Sequence, residues 1–288
     1  MVESQRILVL GASGMLGNAM FRLLHDTSPH EVWASVRSAR SVNHLPSHLH
    51  TRVLIGADVE DMDGLTSLFI SVRPTVVINC VGLVKQLAEA NDPLAAIPIN
   101  SLVPHRLARL SRLAGARFIH FSTDCVFSGK HGNYSEGDQP DAYDLYGRSK
   151  LLGEVKGPST LTLRTSIIGH ELQGAHSLIN WFLSQEGSVR GFRRAIFSGM
   201  PTVSIAEVVR DYILPRPDLE GLYHLSAAPI DKHTLLTLVA EAYNKTVDIV
   251  PDDDVVIDRS LNSQRFRAAT GFVPQDWPAL VTRMHDFQ

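Results

Sequence analysis

Four apolar residues, Ile7-Leu8-Val9-Leu10, run directly into Gly11-Ala12-Ser13-Gly14-Met15-Leu16-Gly17, and a segment with helical periodicity follows over residues 15–24. Strand, glycine loop and helix in that order leave few folds open. The first glycine permits the tight turn, the second lets backbone amides approach an anion, and the third lets the helix pack on the strand, so that the helix N-terminus faces a pyrophosphate. Gly11, Ser13, Gly14, Met15, Leu16 and Gly17 are therefore candidate cofactor-binding residues.

The rhythm continues. Ile7-Leu8-Val9-Leu10, Glu31-Val32-Trp33-Ala34-Ser35-Val36, Arg52-Val53-Leu54-Ile55, Thr75-Val76-Val77-Ile78-Asn79, Arg117-Phe118-Ile119-His120-Phe121 and Leu161-Thr162-Leu163-Arg164 alternate with helical segments. Runs apolar on both faces, separated by long crossovers such as residues 101–113, argue for a parallel sheet covered on both sides. The expected fold class is α/β, a doubly wound parallel sheet of the Rossmann type. After Thr165 the alternation breaks: residues 177–183 and 231–244 look helical, and Gly221-Leu222-Tyr223-His224-Leu225 looks like one further strand. The expected division is an NADP-binding Rossmann domain over 1–165 with that further strand near 221–226, and a smaller, chain-discontinuous α/β substrate-binding domain over 166–220 and 227–288. Asp252-Asp253-Asp254 is expected to be a solvated turn.

Bulk properties exclude several roles. The 288 residues carry a formal net charge of -3 with both signs interspersed, which supplies no basic field for a nucleic acid. Nowhere do enough apolar residues run together to span a membrane. Cys80 and Cys125 lie in apolar, strand-like stretches and are expected to be buried thiols rather than a disulfide, which fits a reducing, cytoplasmic setting. The 13 histidines show no metal-ligand spacing, and no metal is expected.

Beyond the second strand an NAD-preferring site usually presents a carboxylate to the ribose hydroxyls, whereas this chain reads Ser35-Val36-Arg37-Ser38-Ala39-Arg40. Arg37 with Ser38 suits a 2′-phosphate, so NADPH is expected, with NADH left open. Tyr146 and Lys150, in Tyr146-Gly147-Arg148-Ser149-Lys150, are spaced to share one helix face. A phenol beside an ammonium is an acid that can exchange a proton with a carbonyl or hydroxyl; taken alone, such a pair is an ordinary exposed helix neighbour.

With the glycine loop and Tyr146 to Lys150, Ser122-Thr123-Asp124 makes the chain resemble the extended short-chain dehydrogenases/reductases. Ser122-Thr123-Asp124-Cys125-Val126-Phe127-Ser128-Gly129, Leu145-Tyr146-Gly147-Arg148-Ser149-Lys150-Leu151-Leu152-Gly153-Glu154, Leu163-Arg164-Thr165-Ser166, Gly221-Leu222-Tyr223-His224-Leu225 and Asp258-Arg259-Ser260-Leu261-Asn262 are similar to stretches of the dTDP-4-dehydrorhamnose reductases. The resemblance implies that Tyr146 protonates a sugar C4 oxygen while a nicotinamide delivers hydride to C4. It implies further that Thr123 holds that oxygen and that Lys150 binds the nicotinamide ribose and depresses the Tyr146 pKa. By the same resemblance Asn100 matches a structural asparagine at the cofactor, Asp58 and Val59 with Cys80, Val81 and Gly82 line adenine and pyrophosphate, and Ser166 sits by the nicotinamide. For Asp58 a plain turn role stays open.

On the substrate side the candidates are Lys85 and Gln86, at the carboxyl edge of the sheet, with Thr123, Asp124, His176, Trp181, Thr202 and Arg259. The last is a cation that could meet a diphosphate. The implied partner is a nucleotide sugar, either a dTDP-4-keto-6-deoxyhexose or a UDP-linked 2-acetamido analogue. The resemblance also allows a homodimer. Two rivals stay open: an epimerase or dehydratase with tightly held NAD, and a non-catalytic NADP-binding regulatory protein. Cys125 stands where dehydratases carry an acidic base, which disfavours dehydration.

Overall fold

A computed structural model describes residues 4–56, 58–85 and 88–288. Its centre is a seven-stranded sheet of Arg6–Leu10 (β1), Glu31–Val36 (β2), Val53–Ile55 (β3), Val76–Asn79 (β4), Arg117–Thr123 (β5), Thr160–Thr165 (β6) and Gly221–His224 (β7). The order is β7-β6-β5-β4-β1-β2-β3 and every pairing is parallel. The strand order reverses between β1 and β4, which opens a crevice at their carboxyl ends, the place where doubly wound sheets take their ligands.

Alternation along each strand feeds two cores. Ile7 and Val9 of β1 pack into a core with Leu16, Met20 and Leu24 of Met15–Thr27 (α1). Leu8 and Leu10 point the other way, into a core with Leu65, Leu68 and Phe69 of Met62–Val72 (α2) and with Val103 and Leu107 of Val103–Leu113 (α3). Side chains two apart share a face of a strand, so this double alternation requires cover on both sides.

The chain beyond β6 does more than cap the sheet. Thr202–Val208 (α5) returns to the face of α1 and buries Val203, Ile205 and Ala206 in the same core. A small sheet forms around Ala195–Phe197, with Ile230–Asp231 antiparallel on one side and Ile257–Asp258 parallel on the other. Asp253 and Asp254 are exposed, as expected of a solvated segment, and the run is also tied down. Asp252 ends a strand, Asp248–Asp252, that pairs with Ser188–Phe192, while Arg190 meets Asp252 and Asp254, and Arg193 meets Asp253. Both cysteines are free and half-buried. No described helix is long and apolar enough to cross a membrane.

Candidate active site

Gly11 has φ +83°, a conformation in which L side chains are strained, and a Cβ there would lie 2.9 Å from Val81 Cγ2 and 3.2 Å from the Cys80 carbonyl carbon. The glycine loop thus closes directly against the end of β4. A Cβ on Gly17 would overlap the Gly11 carbonyl, so the third glycine is needed for the helix to approach. Gly14 N-caps α1 without a side-chain cap, and a Cβ there would meet only the Gly11 oxygen, at 3.4 Å. Open space beside an uncapped helix N-terminus fits an anionic pyrophosphate, so these residues are suited to hold a dinucleotide.

β5 ends at Thr123, whose hydroxyl accepts from the Cys125 amide at 3.1 Å and donates to Asp124 Oδ1 at 3.1 Å. Asp124–Val126 is a single tight turn begun by that cap. Opposite it, Leu145–Leu152 (α4) starts at Asp144, whose carboxylate accepts from the Gly147 amide at 2.7 Å and from Lys85 Nζ at 2.8 Å. A Cβ on Gly147 would overlap the Cys125 carbonyl, so only glycine lets α4 close on the turn after β5. Tyr146 and Lys150 then project from the face of α4 that meets Thr123 and β5.

Burial pushes the Tyr146 phenol above its ordinary value, with Cys125, Asp124 and Asp144 adding to the rise and the Thr123 hydroxyl opposing it. The net direction is opposite to the expected one, because burial outweighs the neighbouring groups. The Lys150 ammonium is turned to the Phe121 carbonyl at 2.7 Å, and burial lowers its own pKa to about 8 against the pull of Glu154 and Cys80. Burial also raises Asp124, which Arg259, Thr123, Cys125 and Lys232 pull back. The Cys125 thiol is pushed up to about 12 by burial and by Asp124, and is neutral at cellular pH.

Asn100 lies in a π-helical turn, Ile97–Leu102, and is buried. Its amide accepts from Leu83 N at 2.9 Å and donates to Leu83 O and Ser149 Oγ, each at 3.2 Å. Those bonds tie the loop after β4 to α4, which is the structural role that the resemblance gives to this asparagine. Gly82 lies between them: a Cβ there would be 3.3 Å from Asn100 Oδ1 and 3.6 Å from Lys150 Nζ. Ser166 follows β6 and its carbonyl accepts from Met200 N at 2.9 Å. Arg37 and Ser38 are exposed beyond β2, with no carboxylate partner for Arg37 among the described residues. Asp58 makes its own turn, accepting from Glu60 N at 3.0 Å, beside the buried Val59.

The substrate candidates divide. Lys85, Asp124 and Arg259 join the Tyr146 cluster, Arg259 by donating to the Phe127 carbonyl at 2.9 Å. Thr202 does not: as α5 packs on α1, its hydroxyl comes to Gly169 and Met15, lining a cavity of about 270 Å³ with Asn18 and His170. His176 is exposed, and no described contact links it to Tyr146. Trp181 is 37% exposed on Leu178–Ser184, and it too has no described contact with the cluster. Gln86 lies outside the described residues. Sequence reasoning missed Lys232, the first residue of the helix Lys232–Ala242, whose charge acts at Asp124 and Cys125. Only tertiary packing brings it there. It also missed Asp144, which its N-cap position three residues before Gly147 could have revealed. One set of metal-ligand types does converge without any linear spacing to show it: His25, Asp26 and His48, with atoms within 4.8 Å of one another at the far end of α1.

A helix-bearing parallel sheet with a glycine loop and a Thr-Tyr-Lys cluster defines a dinucleotide-dependent oxidoreductase architecture. The chain matches the family model described as the RmlD substrate binding domain over residues 5–286, and it belongs to that family. It is 30% identical over 264 residues to methionine adenosyltransferase 2 subunit beta of Rattus norvegicus, spanning 84% of this chain and 73% of that one. Among solved structures it is similar to a hypothetical dTDP-4-dehydrorhamnose reductase from Sulfolobus tokodaii, with 27% identity, a TM-score of 0.75 and coverage of 94% and 98%. The fold is also that of a dTDP-4-dehydrorhamnose reductase from Bacillus anthracis solved with NADP, with 18% identity, a TM-score of 0.80 and full coverage of both chains.

Proposed function

We propose that the chain reduces the C4 ketone of a nucleotide-linked 4-keto-6-deoxy sugar, either dTDP-4-dehydrorhamnose or a UDP-linked N-acetylated analogue, with NADPH. The observation that carries this is the pairing of a phenol kept protonated, Tyr146, with a neutral thiol, Cys125, where dehydration would need a base. An acid beside a thiol, at the position where dehydration would need a carboxylate, suits reduction. Residues 1–165 with β7 would hold the dinucleotide, and 166–220 with 227–288 the sugar nucleotide.

When bound, the nicotinamide supplies hydride to the carbonyl carbon. Tyr146 gives its hydroxyl proton to the carbonyl oxygen as charge develops there. Thr123, which donates to Asp124 in this structure, steadies the same oxygen by turning its hydroxyl away from that carboxylate. Lys150, fixed on the Phe121 carbonyl, holds positive charge behind the phenol and favours its anion after transfer. The exposed Arg37 meets a 2′-phosphate.

The test is NADPH oxidation by the purified chain against a panel of dTDP-, UDP- and GDP-linked 4-keto sugars. Turnover of one member is expected. Silence from all of them would remove the assignment and favour a non-catalytic role, a reading that the similarity to an enzyme's beta subunit keeps in play. Tight NAD that survives purification, with no net NADPH consumption, would instead mark an epimerase.

A further inference from the structure

Three cations gather where the turn after β5 meets the small sheet. Lys85 is held by Asp144 at 2.8 Å. Arg259 follows the strand Ile257–Asp258 and uses Nε on the Phe127 carbonyl, leaving its two terminal nitrogens without an acceptor among the described residues. Lys232 follows the strand Ile230–Asp231 on the other side of Ala195–Phe197. The residue is half-buried, its ammonium lies 5.0 Å from the centre of the Phe197 ring, and it has no hydrogen bond or ion pair among the described residues.

This is an unusual place for an unpaired lysine. Lys232 opens a helix, the end whose dipole favours anions, so its own charge is opposed there. Burial lowers its pKa further, and only Asp124 and Cys125 are felt as opposing influences. The Phe197 ring tip packs toward Ser166, since a Cβ on Gly199 would lie 2.5 Å from Phe197 Cζ and equally near the Ser166 carbonyl carbon. Lys232 is therefore on the wall between the end of β6 and the turn that carries Asp124, with Arg259 across the strand from it.

We propose that Lys232 is a substrate-binding residue which, together with the free end of Arg259, grips the diphosphate bridge of the nucleotide sugar and so sets the sugar's C4 ketone against Tyr146. The inference rests on the nucleotide-sugar reading above. A neutral sugar hydroxyl needs a hydrogen bond, not two cations. A diphosphate diester carries two negative charges, which match Lys232 and Arg259 once Lys85 is assigned to Asp144. The Asp231 carboxylate does not compete, because both its oxygens cap the helix, on Thr234 N at 2.8 Å and Thr234 Oγ1 at 2.7 Å.

The experiment is calorimetric titration of the untagged, NADP-loaded chain with UDP and with dTDP, for the natural sequence, Lys232→Met and Lys232→Arg. Lys232→Met is expected to weaken the preferred nucleotide by about tenfold or more and to flatten the dependence of affinity on salt, with Lys232→Arg restoring most of it. NADP affinity stays unchanged in both, which certifies the fold. A loss in Lys232→Met below about threefold, or unchanged nucleotide affinity with a collapsed kcat, overturns the assignment and leaves the reductase reading standing. Absence of UDP and dTDP binding by the natural sequence overturns both.

Discussion

Ser122 and Thr123 are neighbours on β5, and successive side chains of a strand point to opposite faces. On the Ser122 side, Arg164 grips Glu154 with both Nε and Nη2, at 2.6 and 2.8 Å, while Ser122 donates to Glu154 Oε1 at 2.8 Å. His224 completes that network: its Nδ1 lies 2.9 Å from the Tyr134 carbonyl, and burial with Arg164 lowers its pKa to about 4, so it stays neutral. On the Thr123 side the charges of Asp124, Lys232 and Arg259 face one another without a direct ion pair among the described residues. The first cluster has its charges matched internally even though it lines the larger cavity, about 650 Å³, with Glu136 and Lys156. The second is incomplete, and that incompleteness, more than cavity size, marks it as the site for a ligand.

Removing the acid tests the incomplete side most sharply. Tyr146→Phe should lower kcat by about 10²-fold to 10⁴-fold, the usual weight of a positioned general acid, with NADPH affinity within a few fold of the natural protein. Stopped-flow hydride transfer and fluorescence titration of NADPH measure the two quantities. Retention of most of kcat would sink Tyr146 as the proton donor.

On the satisfied side the expected loss is in stability. Arg164→Met leaves Glu154 as an uncompensated buried carboxylate and should cost about 3–5 kcal/mol in urea unfolding. Replacing both partners with apolar residues should recover much of that, because the desolvation penalty goes with the charges. If the single variant unfolds like the natural protein, the contrast between the two faces of β5 is wrong.

Lys150 belongs to both descriptions, being buried, hydrogen-bonded and placed behind the acid, and its pH behaviour separates them. Its folded pKa, about 8, lies below that of an ordinary lysine. Below about pH 8 both folded and unfolded chains hold the proton and the full cost of burying the ammonium is present; between there and the ordinary value of about 10.4 the unfolded chain binds more protons. Lys150 should therefore add stability as pH rises through that window, while activity falls because the charge behind Tyr146 is lost. Urea unfolding and kcat measured from neutral to alkaline pH check both signs, with Lys150→Met removing the Lys150 part of each trend.

The fold was legible because it rests on local signals. Double-sided apolar runs, glycines before a helix and crossover lengths are all local, and each of the seven strands appears where the pattern puts it. Thr123, Tyr146 and Lys150 were legible for the same reason, since one strand end and one helix turn carry them. What escaped was decided by packing between distant segments. Thr202 was expected at the sugar and lies by Met15 because α5 turns back onto α1. Lys232 looks like any polar helix start until the small sheet brings it over Phe197. The acidity of Tyr146 was given the wrong direction because spacing shows neighbours but not burial, and burial is the larger influence here.

The smallest effect should come from the loop after β2, which differs from both faces of β5 in being fully exposed. Arg37 has no protein partner among the described residues that a substitution could strand, so Arg37→Ala should leave unfolding unchanged. A guanidinium that meets a 2′-phosphate acts on one cofactor only. The KM for NADPH should then rise about tenfold, with that for NADH and the kcat with either cofactor unmoved, as expected when binding common to ground and transition states is lost. Steady-state kinetics with both cofactors decide it. An equal change for NADPH and NADH would show that Arg37 is solvated surface and would move the choice of cofactor to another part of the crevice.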